Sequence, residues 1–532
     1  MATTVERPAA APVVNVPDQF NIADYLVDRH VREGRGGRTA IVCGDELVTY
    51  AQVAERSNRV GNGLRSLGVR REERVLLLLL DTPAFAYCFF GAQKIGGVPI
   101  PTNTLLKSQD YRYMLNDSRA TVAIVSEPLL PQVAAIPRDE LPYLQHLVID
   151  GSPTADAIGL DQLLAAAPTL EPEPTGKDDA AFWLYSSGTT GFPKGAVHLH
   201  HDIVHTVVCY AQGVLRMSET DRTFSVAKLF FAYGLGNALT FPFAVGATTI
   251  LWPGPPTPPN VYAQIERHKP TLFFSVPTNY GQLLAHKRDG ADFDLSSVRQ
   301  AVSAGEALPK ALYERFKDRF RVEILDGIGS TEILHIFISN RSGRVRPGSA
   351  GELVTGYEAR IVDEGGNDVP DGTVGNLLIK GDSTCAYYWN KHERTKDTIE
   401  GHWIRTGDKF SRDADGYYWY AGRADDMLKV GGIWVSPVEI ENTLVEHPAV
   451  QEAGVIGRRD ADSLEKPMAY VVLAAGQRGS PELAHELQDF VRSKIAEYKR
   501  PRWIEFVEAL PKTATGKTQR FKLREAAASD PV

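Results

Sequence analysis

The stretch AAFWLYSSGTTGFPKG, residues 180–195, is the most informative about the fold, because it joins an apolar strand pattern to a loop rich in glycine and hydroxyl side chains. Glycines let a backbone approach an anion closely, and the hydroxyl groups and Lys194 can donate hydrogen bonds to it. In α/β proteins, ligands bind at the carboxyl ends of strands. The Walker pattern is absent, since it requires Ser or Thr directly after Gly-Lys, whereas Lys194 precedes Gly195. The stretch therefore predicts an α/β protein with a phosphate-binding loop of another kind.

Strand and helix patterns alternate on both sides of this loop, from about residue 40 to residue 340. RVLLLLL at 74–80 predicts a buried strand, AFAYCFFGAQKIG at 84–96 an apolar helix, and Thr49 a helix N-cap. Such alternation predicts parallel sheets that are covered by helices on both faces. Residues 351–381 differ, because short strands separated by the turns EGGND and PDG predict a small antiparallel β unit.

A change of pattern after GRADDMLKVGG, residues 422–432, predicts a second and smaller domain of α+β type. The predicted fold class is therefore α/β, with a large N-terminal domain of layered, parallel-rich sheets and a small β unit, followed by the smaller domain. We place a flexible N-terminal arm at 1–20, the large domain at 21–424 and the C-terminal domain at 425–532, with the boundary at Asp425.

Composition excludes several classes of protein. The net charge of −8 and the pI of about 6.0 provide no broad basic field, so we expect no nucleic acid partner. The four cysteines form no CxxC pair, which argues against a zinc site or a disulfide framework and favours a reducing cytoplasm. The most apolar run, Val75–Leu80, ends at Asp81 and is too short to cross a bilayer, and residues 1–20 carry no apolar signal core. We therefore expect a cytoplasmic protein without a membrane partner.

Five further stretches carry groups that a nucleotide site requires. Glu332 can bind Mg²⁺, which prefers one or two carboxylates plus phosphate oxygens. Asp408 can accept hydrogen bonds from a ribose diol, and Arg423, Lys429 and Lys517 can donate to phosphate or ribose. Each stretch alone is weak, because a lone TGD is usually a turn and a lone Arg–Asp pair is usually on the surface. Together they predict a nucleotide site, and they are SAGEALP (303–309), DGIGSTE (326–332), TGD (406–408), GRADDMLKVGG (422–432) and PKTATGKTQR (511–520).

In this order, the motifs resemble those of the adenylate-forming superfamily, which comprises acyl- and aryl-CoA ligases, amino-acid adenylation domains and firefly-type luciferases. The resemblance covers about residues 20 to 525. Within the superfamily, AKLFFAYGLGNALTFP (227–242) and STEILHIFISN (330–340) are most similar to benzoate-CoA ligases.

The resemblance implies ATP-dependent activation of an aromatic carboxylic acid, above all benzoate, to an acyl adenylate and then to the CoA thioester, with release of AMP and pyrophosphate. The partners it implies are the aromatic acid, ATP, Mg²⁺ and coenzyme A. By resemblance, Lys517 bridges the substrate carboxylate and the α-phosphate, and Gly188–Lys194 holds the β- and γ-phosphates. The C-terminal domain is expected to be mobile, with its hinge at Asp425. Monomer and homodimer both remain open.

The resemblance also assigns residues to the site. The expected catalytic residues are Lys517, Glu332, Thr331 and Lys194, with Glu332 as the Mg²⁺ ligand. The expected nucleotide-binding residues are Ser186, Ser187, Gly188, Thr189, Thr190, Gly191, Gly305, Glu306, Asp326, Gly327, Ile328, Asp408, Arg423, Lys429, Gly431 and Gly432. The expected acid-binding residues are Phe231, Ala232, Tyr233, Gly234, Gly327, His335 and Ile336, since aromatic and very small side chains together can form a flat slot for a ring.

Two positions depart from the pattern of the superfamily. Phe231 replaces a histidine that is thought to gate entry of the acid in many relatives, which makes the entrance more apolar. Ile328 replaces an aromatic residue that stacks on adenine, which leaves an aliphatic contact.

Alternative functions remain open at this stage. A ligase for 4-hydroxybenzoate, 2-aminobenzoate or a medium-chain acid is one, because a single hydrogen bond can decide ring specificity. Amino-acid adenylation is disfavoured because no carboxylate near Ala232–Tyr233 could pair with a substrate ammonium. A non-catalytic nucleotide sensor is a remote alternative, since pure binding requires neither Glu332 nor Lys517.

Overall fold

A nine-stranded sheet forms the largest element of the computed structural model, which describes residues 14–186, 193–430, 433–460, 464–512 and 518–529. Its six central strands are parallel, and antiparallel strands lie at both edges. In spatial order the strands are Glu352–Leu353, Ile336–Ser339, Ile324–Gly329, Gln300–Ser303, Leu272–Ser275, Arg222–Ser225, Thr248–Leu251, Thr39–Cys43 and Glu46–Thr49.

A second sheet of five strands is parallel throughout. Arg74–Leu78 is an interior strand of this sheet, and every residue after Arg74 is buried, as the apolar run predicts. In spatial order its strands are Val98–Pro101, Arg74–Leu78, Val122–Ser126, His146–Asp150 and Ile158–Gly159.

Two helices pack in the main core between these sheets. Tyr50–Ser66 begins at Thr49, whose hydroxyl accepts from the Gln52 N–H while the Gln52 side chain accepts from the Thr49 N–H. Pro83–Lys94 is buried along its whole length, so the predicted apolar helix is confirmed. The other α-helices before residue 430 are Arg29–Arg32, Ser108–Ser118, Leu130–Ala134, Leu160–Leu164, His200–Thr206, Ala232–Leu235, Phe241–Val245, Pro258–His268, Pro277–Ala285, Lys310–Phe320 and His392–Thr398. Helical turns of π type span Asp24–Asp28, Val207–Gln212 and Gly236–Thr240.

The loop at the centre of the opening stretch connects a hairpin. The predicted strand is present at Ala180–Ser186, but it pairs antiparallel with Lys194–Leu199, and Tyr387–Tyr388 adds a third antiparallel strand. We expected this loop to lie at the end of a strand in a parallel sheet, as in α/β proteins. Instead it connects two antiparallel strands. The physical reason is that two apolar strands, with residues 180–185 as the first, can pair directly when only a short loop separates them.

The predicted small β unit is confirmed as an antiparallel sheet of five strands after residue 357. Its strands are Glu358–Val362, Gly375–Lys380, Trp403–Arg412, Ile399–Glu400 and Tyr418–Arg423.

The smaller C-terminal domain has its own hydrophobic core, formed by side chains from Leu428 onward. Arg520 ties its last helix to the start of the domain through Glu441 and Asp426. The strands are Leu428–Val430 paired with Ile433–Val435, and a sheet of Val450–Arg459, Glu465–Leu473 and Trp503–Phe506, and the helices are Pro437–Val445, Pro481–Lys494 and Arg520–Ser529. The fold class of a large parallel-rich domain and a smaller α+β domain is thus confirmed.

The described part of the predicted N-terminal arm, residues 14–20, contacts the large domain. The Phe20 N–H donates to the Thr175 carbonyl at 2.7 Å, and Val14 and Val16 pack against the main core. Residues 1–13 lie outside the described residues. Among the helices that the structure describes, none has both the length and the apolar character required to span a membrane.

Candidate functional site

The hairpin and the DGIGSTE segment meet at the carboxylate of Glu332. Ser186 Oγ donates to Glu332 Oε1 at 3.1 Å, and the Tyr388 hydroxyl donates to the same oxygen at 2.7 Å. Lys194 Nζ in turn donates to the Tyr388 hydroxyl at 3.3 Å and lies 4.3 Å from the centre of its ring. Ser186 and Lys194 are directly paired across the hairpin, so one strand pair presents both groups to Glu332.

The surroundings of this cluster favour the charged form of Glu332 but disfavour that of Lys194. Burial opposes ionisation of Glu332, but the Tyr388 hydrogen bond and the Lys194 charge together keep its pKa below the ordinary value. Burial lowers the pKa of Lys194, and the nearby guanidinium groups of Arg394 and Arg423 act in the same direction. The site thus holds one carboxylate and several cations in one half-buried region, which is suited to a polyanion together with a metal ion.

Asp326 connects the SAGEALP and DGIGSTE segments. Its buried Oδ2 accepts from the Leu308 N–H at 3.2 Å, and burial raises its pKa to about 8. Its Oδ1 is buried without a hydrogen-bond partner among the described residues. Gly305 in the same region has a φ of +94°, a conformation that favours glycine.

Asp408 and Arg423 lie opposite each other on neighbouring strands, and Arg423 Nη1 donates to Asp408 Oδ1 at 3.2 Å. Gly407 has a φ of +76°, and an added Cβ would lie 2.9 Å from Arg423 Nη2, so this position of the TGD motif requires glycine. Since Arg423 also lowers the pKa of Lys194, the pair belongs to the same electrostatic neighbourhood as the Glu332 cluster.

The acid-binding segment begins at Phe231 and continues into the helix Ala232–Leu235. The Tyr233 hydroxyl donates to the carbonyls of Ser275 and Val302, at 3.3 and 3.2 Å, where two central strands end. An added Cβ on Gly234 would lie 2.0 Å from the Lys228 carbonyl oxygen, so no side chain fits there. The segment is therefore anchored to the carboxyl edge of the nine-stranded sheet.

His335 is buried among rings at the end of this segment. The centre of its ring lies 5.6 Å from that of Tyr233 and 4.4 Å from that of Phe241, and burial lowers its pKa to about 3. Its Nε2 lies 3.1 Å from Asn237 Oδ1, whereas its Nδ1 and Asn237 Nδ2 have no hydrogen-bond partner among the described residues. The structure thus leaves one buried hydrogen-bond acceptor and one buried donor beside the predicted slot.

Two predicted positions pack between strands: Gly327, predicted for both the nucleotide and the acid site, and Ile328, predicted for the nucleotide site. An added Cβ on Gly327 would lie 2.8 Å from the Ile338 carbonyl oxygen and 2.9 Å from Ile336 Cγ2. Ile328 is paired with Ile338 and remains half-buried.

The start of the Lys517 loop reaches the large domain. Lys512 Nζ donates to Thr278 Oγ1 at 3.0 Å and forms an ion pair with Glu452 at 2.7 Å. Thr278 Oγ1 also donates to Glu306 of the SAGEALP segment at 3.2 Å. The chain thus enters the loop beside a predicted nucleotide-binding segment.

Several predicted site residues lie outside the described residues, and their placement stays a prediction. They are Ser187, Gly188, Thr189, Thr190, Gly191, Gly431, Gly432 and Lys517, together with the side chains of Asp425 and Lys429.

Four contributing residues were missed from the sequence. Tyr388 belongs to no motif and reaches Glu332 through strand pairing, so no local signal indicated it. His198 contacts the Thr331 carbonyl at 2.8 Å, and Asp202 contacts His198. The period of two along the strand from Lys194 could have indicated His198. Asn237 lies one helical turn after Tyr233, on a face that periodicity could have found.

Comparison with known proteins gives consistent results. A model of AMP-binding enzymes matches residues 27–389, and a model of the AMP-binding enzyme C-terminal domain matches residues 439–517. The chain is 49% identical to a benzoate–CoA ligase of Thauera aromatica, over 97% of this chain and 98% of that protein. It is 44% identical to a 4-hydroxybenzoate–CoA/benzoate–CoA ligase of Rhodopseudomonas palustris, over 95% of this chain and 94% of that protein.

A solved structure of an anthranilate CoA ligase in complex with anthranoyl-AMP superposes with a TM-score of 0.93 and 48% identity, over 97% of this chain and 98% of that chain. The match therefore extends over both domains. On its site geometry, its full-length relatives and both family models, the chain belongs to the family of AMP-binding enzymes.

Proposed function

We propose that this protein is an ATP-dependent ligase that converts benzoate first to benzoyl-AMP and then to benzoyl-CoA. The observation that carries the proposal is the junction at Glu332, where Ser186 and the Lys194–Tyr388 pair meet one carboxylate. The identity of 49% to a benzoate–CoA ligase along nearly the whole chain supports the choice of acid.

The chemical problem is that a carboxylate is a poor acyl donor at neutral pH, since oxide is not a workable leaving group. In the first half-reaction, a carboxylate oxygen of benzoate attacks the α-phosphorus of ATP. The new bond joins that oxygen to phosphorus, and the bond from the α-phosphorus to the bridging oxygen breaks, so that pyrophosphate leaves with the electron pair. In the second, the thiol of coenzyme A loses its proton to solvent and its sulfur attacks the acyl carbon. The new bond joins sulfur to that carbon, and the bond from the carbon to the phosphate oxygen breaks, so that AMP leaves with the electron pair.

The role of the protein in the first half-reaction is to neutralise phosphate charge and to hold the two reactants together. Lys194 lies on the strand that follows the loop Gly188–Gly191, and a cation there suits the β- and γ-phosphates. Lys517, from the C-terminal domain, is assigned to the substrate carboxylate and the α-phosphate. The contact between Lys512 and Thr278 supports this assignment, because it brings the start of that loop to the nucleotide side of the large domain.

Glu332 fits a magnesium ion that is shared with ATP. Mg²⁺ is usually held by one or two carboxylates plus phosphate oxygens, and the described residues contain no group of three or more His, Cys, Asp or Glu that could hold an ion alone. Glu332 would hold the ion, and Ser186 and Tyr388 would orient the carboxylate. When bound, Mg²⁺ supplies charge neutralisation at the triphosphate.

In the second half-reaction, the thiol comes from coenzyme A. Burial raises the pKa of Cys209 to about 12 and also raises that of Cys385, so neither thiol is suited to act as a nucleophile. We assign a rotation of the C-terminal domain about Asp425 to the change between half-reactions, with residues 429–432 turned towards the thioester site. A hinge of a few loop residues is common in such closures.

The test is release of pyrophosphate from ATP, Mg²⁺ and benzoate without coenzyme A. We expect the wild-type protein to release about one equivalent rapidly, and Glu332→Gln to slow this step by about 10²-fold or more, the scale for loss of one charge-stabilising group. Tyr388→Phe is the matched control, because it removes one hydrogen bond to Glu332 and keeps the carboxylate. Binding of ATP without any pyrophosphate release would support the alternative of a nucleotide sensor and would contradict the proposal.

A substituted benzoate is the second candidate substrate, and the buried polar edge beside the slot favours it. His335 Nδ1 and Asn237 Nδ2 have no partner among the described residues, so an amino or hydroxyl group on the ring could supply one. The similarity to an anthranilate ligase and to a ligase for both 4-hydroxybenzoate and benzoate supports this candidate. A higher kcat/KM for 2-aminobenzoate or 4-hydroxybenzoate than for benzoate would establish it.

A further inference from the structure

The short turn that carries Thr331 and Glu332 is held from outside at each of its three carbonyls. Cys385 N–H donates to the Glu332 carbonyl at 2.7 Å, and Ser383 Oγ donates to the Ile333 carbonyl at 2.9 Å. His198 Nε2 lies 2.8 Å from the Thr331 carbonyl. The turn is helical from Thr331 to Ile333 and is followed by a φ of 73° at Leu334, a conformation that costs a non-glycine residue free energy. External hydrogen bonds therefore maintain its shape.

His198 is itself fixed by Asp202. His198 Nδ1 lies 2.7 Å from Asp202 Oδ2, and both side chains are completely inaccessible to solvent. Asp202 Oδ2 also accepts from the Leu199 N–H at 3.1 Å, and the His198 ring stacks on Phe182 with centres 5.3 Å apart. A carbonyl and a carboxylate are both acceptors, so the imidazole faces an acceptor at each nitrogen, and the nitrogen that carries the proton donates to its acceptor.

We propose that His198 and Asp202 are positioning residues that set the place of the Thr331–Glu332 turn for adenylate formation. Lys194 and His198 lie on the same face of the strand Lys194–Leu199, because side chains alternate along a strand. One strand thus carries both the phosphate-facing lysine and the group that holds the turn of Glu332. A displacement of about 1 Å at such a site can cost about 10²-fold in rate, so loss of the His198 contact can lower the rate without removing a reacting group. The inference rests on the proposed function.

The experiment compares His198→Met, His198→Gln and His200→Met. Methionine and glutamine have similar length, but only glutamine can donate to the Thr331 carbonyl. His200 is the matched control, because it is nearly as buried, accepts from the Ile22 N–H at 3.1 Å and, within the described part of the chain, makes no hydrogen bond to the turn. We measure kcat and KM for pyrophosphate release with benzoate, ATP and Mg²⁺, and the urea midpoint of each variant.

We expect His198→Met to lower kcat by about 10- to 100-fold, the range for a group that orients a direct ligand, while KM for benzoate stays nearly constant. His198→Gln should keep kcat within about fivefold of wild type, because glutamine can still donate to the Thr331 carbonyl. One neutral hydrogen bond is worth about 1 kcal/mol, which corresponds to about fivefold in rate. His200→Met should lower the urea midpoint by about as much as His198→Met does, and should leave kcat unchanged. Equal kcat values for the Met and Gln variants at position 198, or an equal loss of kcat in His200→Met, would overturn the inference.

A second measurement does not depend on turnover. Leu334 N–H donates to the Thr331 carbonyl, so amide hydrogen exchange of residues 331–334 reports on the turn. His198→Met should accelerate this exchange and His200→Met should not. Unchanged exchange in His198→Met would contradict the inference even if the proposed function holds. Absence of pyrophosphate release by the wild-type protein would instead contradict the proposed function. The hydrogen-exchange measurement would still test whether His198 holds the turn in place.

Discussion

Glu332 and His335 are three residues apart in the chain, yet their surroundings differ in almost every respect. Glu332 is half-buried, and hydroxyl and ammonium groups from a hairpin and from Tyr388 converge on it. His335 is fully buried among aromatic rings, with one hydrogen-bonded nitrogen and one without a partner among the described residues. The first environment stabilises a charge, whereas the second suppresses one and holds the pKa of His335 at about 3.

This difference separates reaction type from substrate choice. Phosphate chemistry requires charged groups at fixed places, and Glu332 has them in the described structure. Choice of a ring requires shape and one or two well-placed polar atoms, and these lie around His335. We therefore expect substitutions at the Glu332 end to change rate for every acid, and substitutions at the His335 end to change the relative rates of different acids.

The largest expected effect is at the nucleotide end. Lys517→Ala should lower benzoyl-AMP formation by at least about 10²-fold, because it removes a cation from the developing charge, and should leave thioester formation from supplied benzoyl-AMP nearly unchanged. Each half-reaction is measured separately, by pyrophosphate release and by benzoyl-CoA formation. Lys522→Ala is the control, since it removes an exposed lysine five residues after Lys517. An equal loss in both half-reactions of Lys517→Ala would contradict the two domain orientations.

A smaller effect should distinguish the acid end. His335→Phe keeps a flat ring but removes the Nδ1 acceptor, so kcat/KM for 2-aminobenzoate should fall by about 10-fold relative to benzoate, the scale for one lost hydrogen bond in a pocket. The measurement is the ratio of the two kcat/KM values in wild type and variant. If kcat/KM falls equally for both acids, the unpaired nitrogen does not contact the ring substituent. The distinction between a rate-setting end at Glu332 and a substrate-selecting end at His335 would then be wrong.

A third effect concerns the pH dependence of stability. Burial raises the pKa of Asp326 from 3.8 to about 8, so the folded protein keeps a proton that the unfolded chain releases above about pH 4. The free energy of unfolding contributed by this group is therefore highest at low pH and falls as the pH rises from about 4 to about 8. Asp326→Asn should flatten the fall of the urea midpoint across this window. If the urea midpoints of wild type and variant change with pH in parallel, the pKa of Asp326 is not raised in the folded protein.

Local patterns in the sequence predicted most of the secondary structure. Thr49 caps its helix, the run from Arg74 forms a central strand and residues 358–380 form an antiparallel hairpin, because capping groups, apolar runs and turn residues act over a few positions. The partner of Ala180–Ser186 could not be predicted in this way, since strand pairing depends on which apolar faces meet in the folded chain.

Short motifs were enough to predict the fold class and the family, because phosphate chemistry demands glycine, hydroxyl, lysine and carboxylate groups at close spacing. The residues that these motifs assign to the nucleotide end stay a prediction. Three contacts became visible in the folded chain alone: Tyr388 links Lys194 to Glu332, His198 contacts the Thr331 carbonyl and Asn237 contacts His335. These contacts join residues 56 to 194 positions apart by strand pairing and close packing, for which spacing along the chain carries little information.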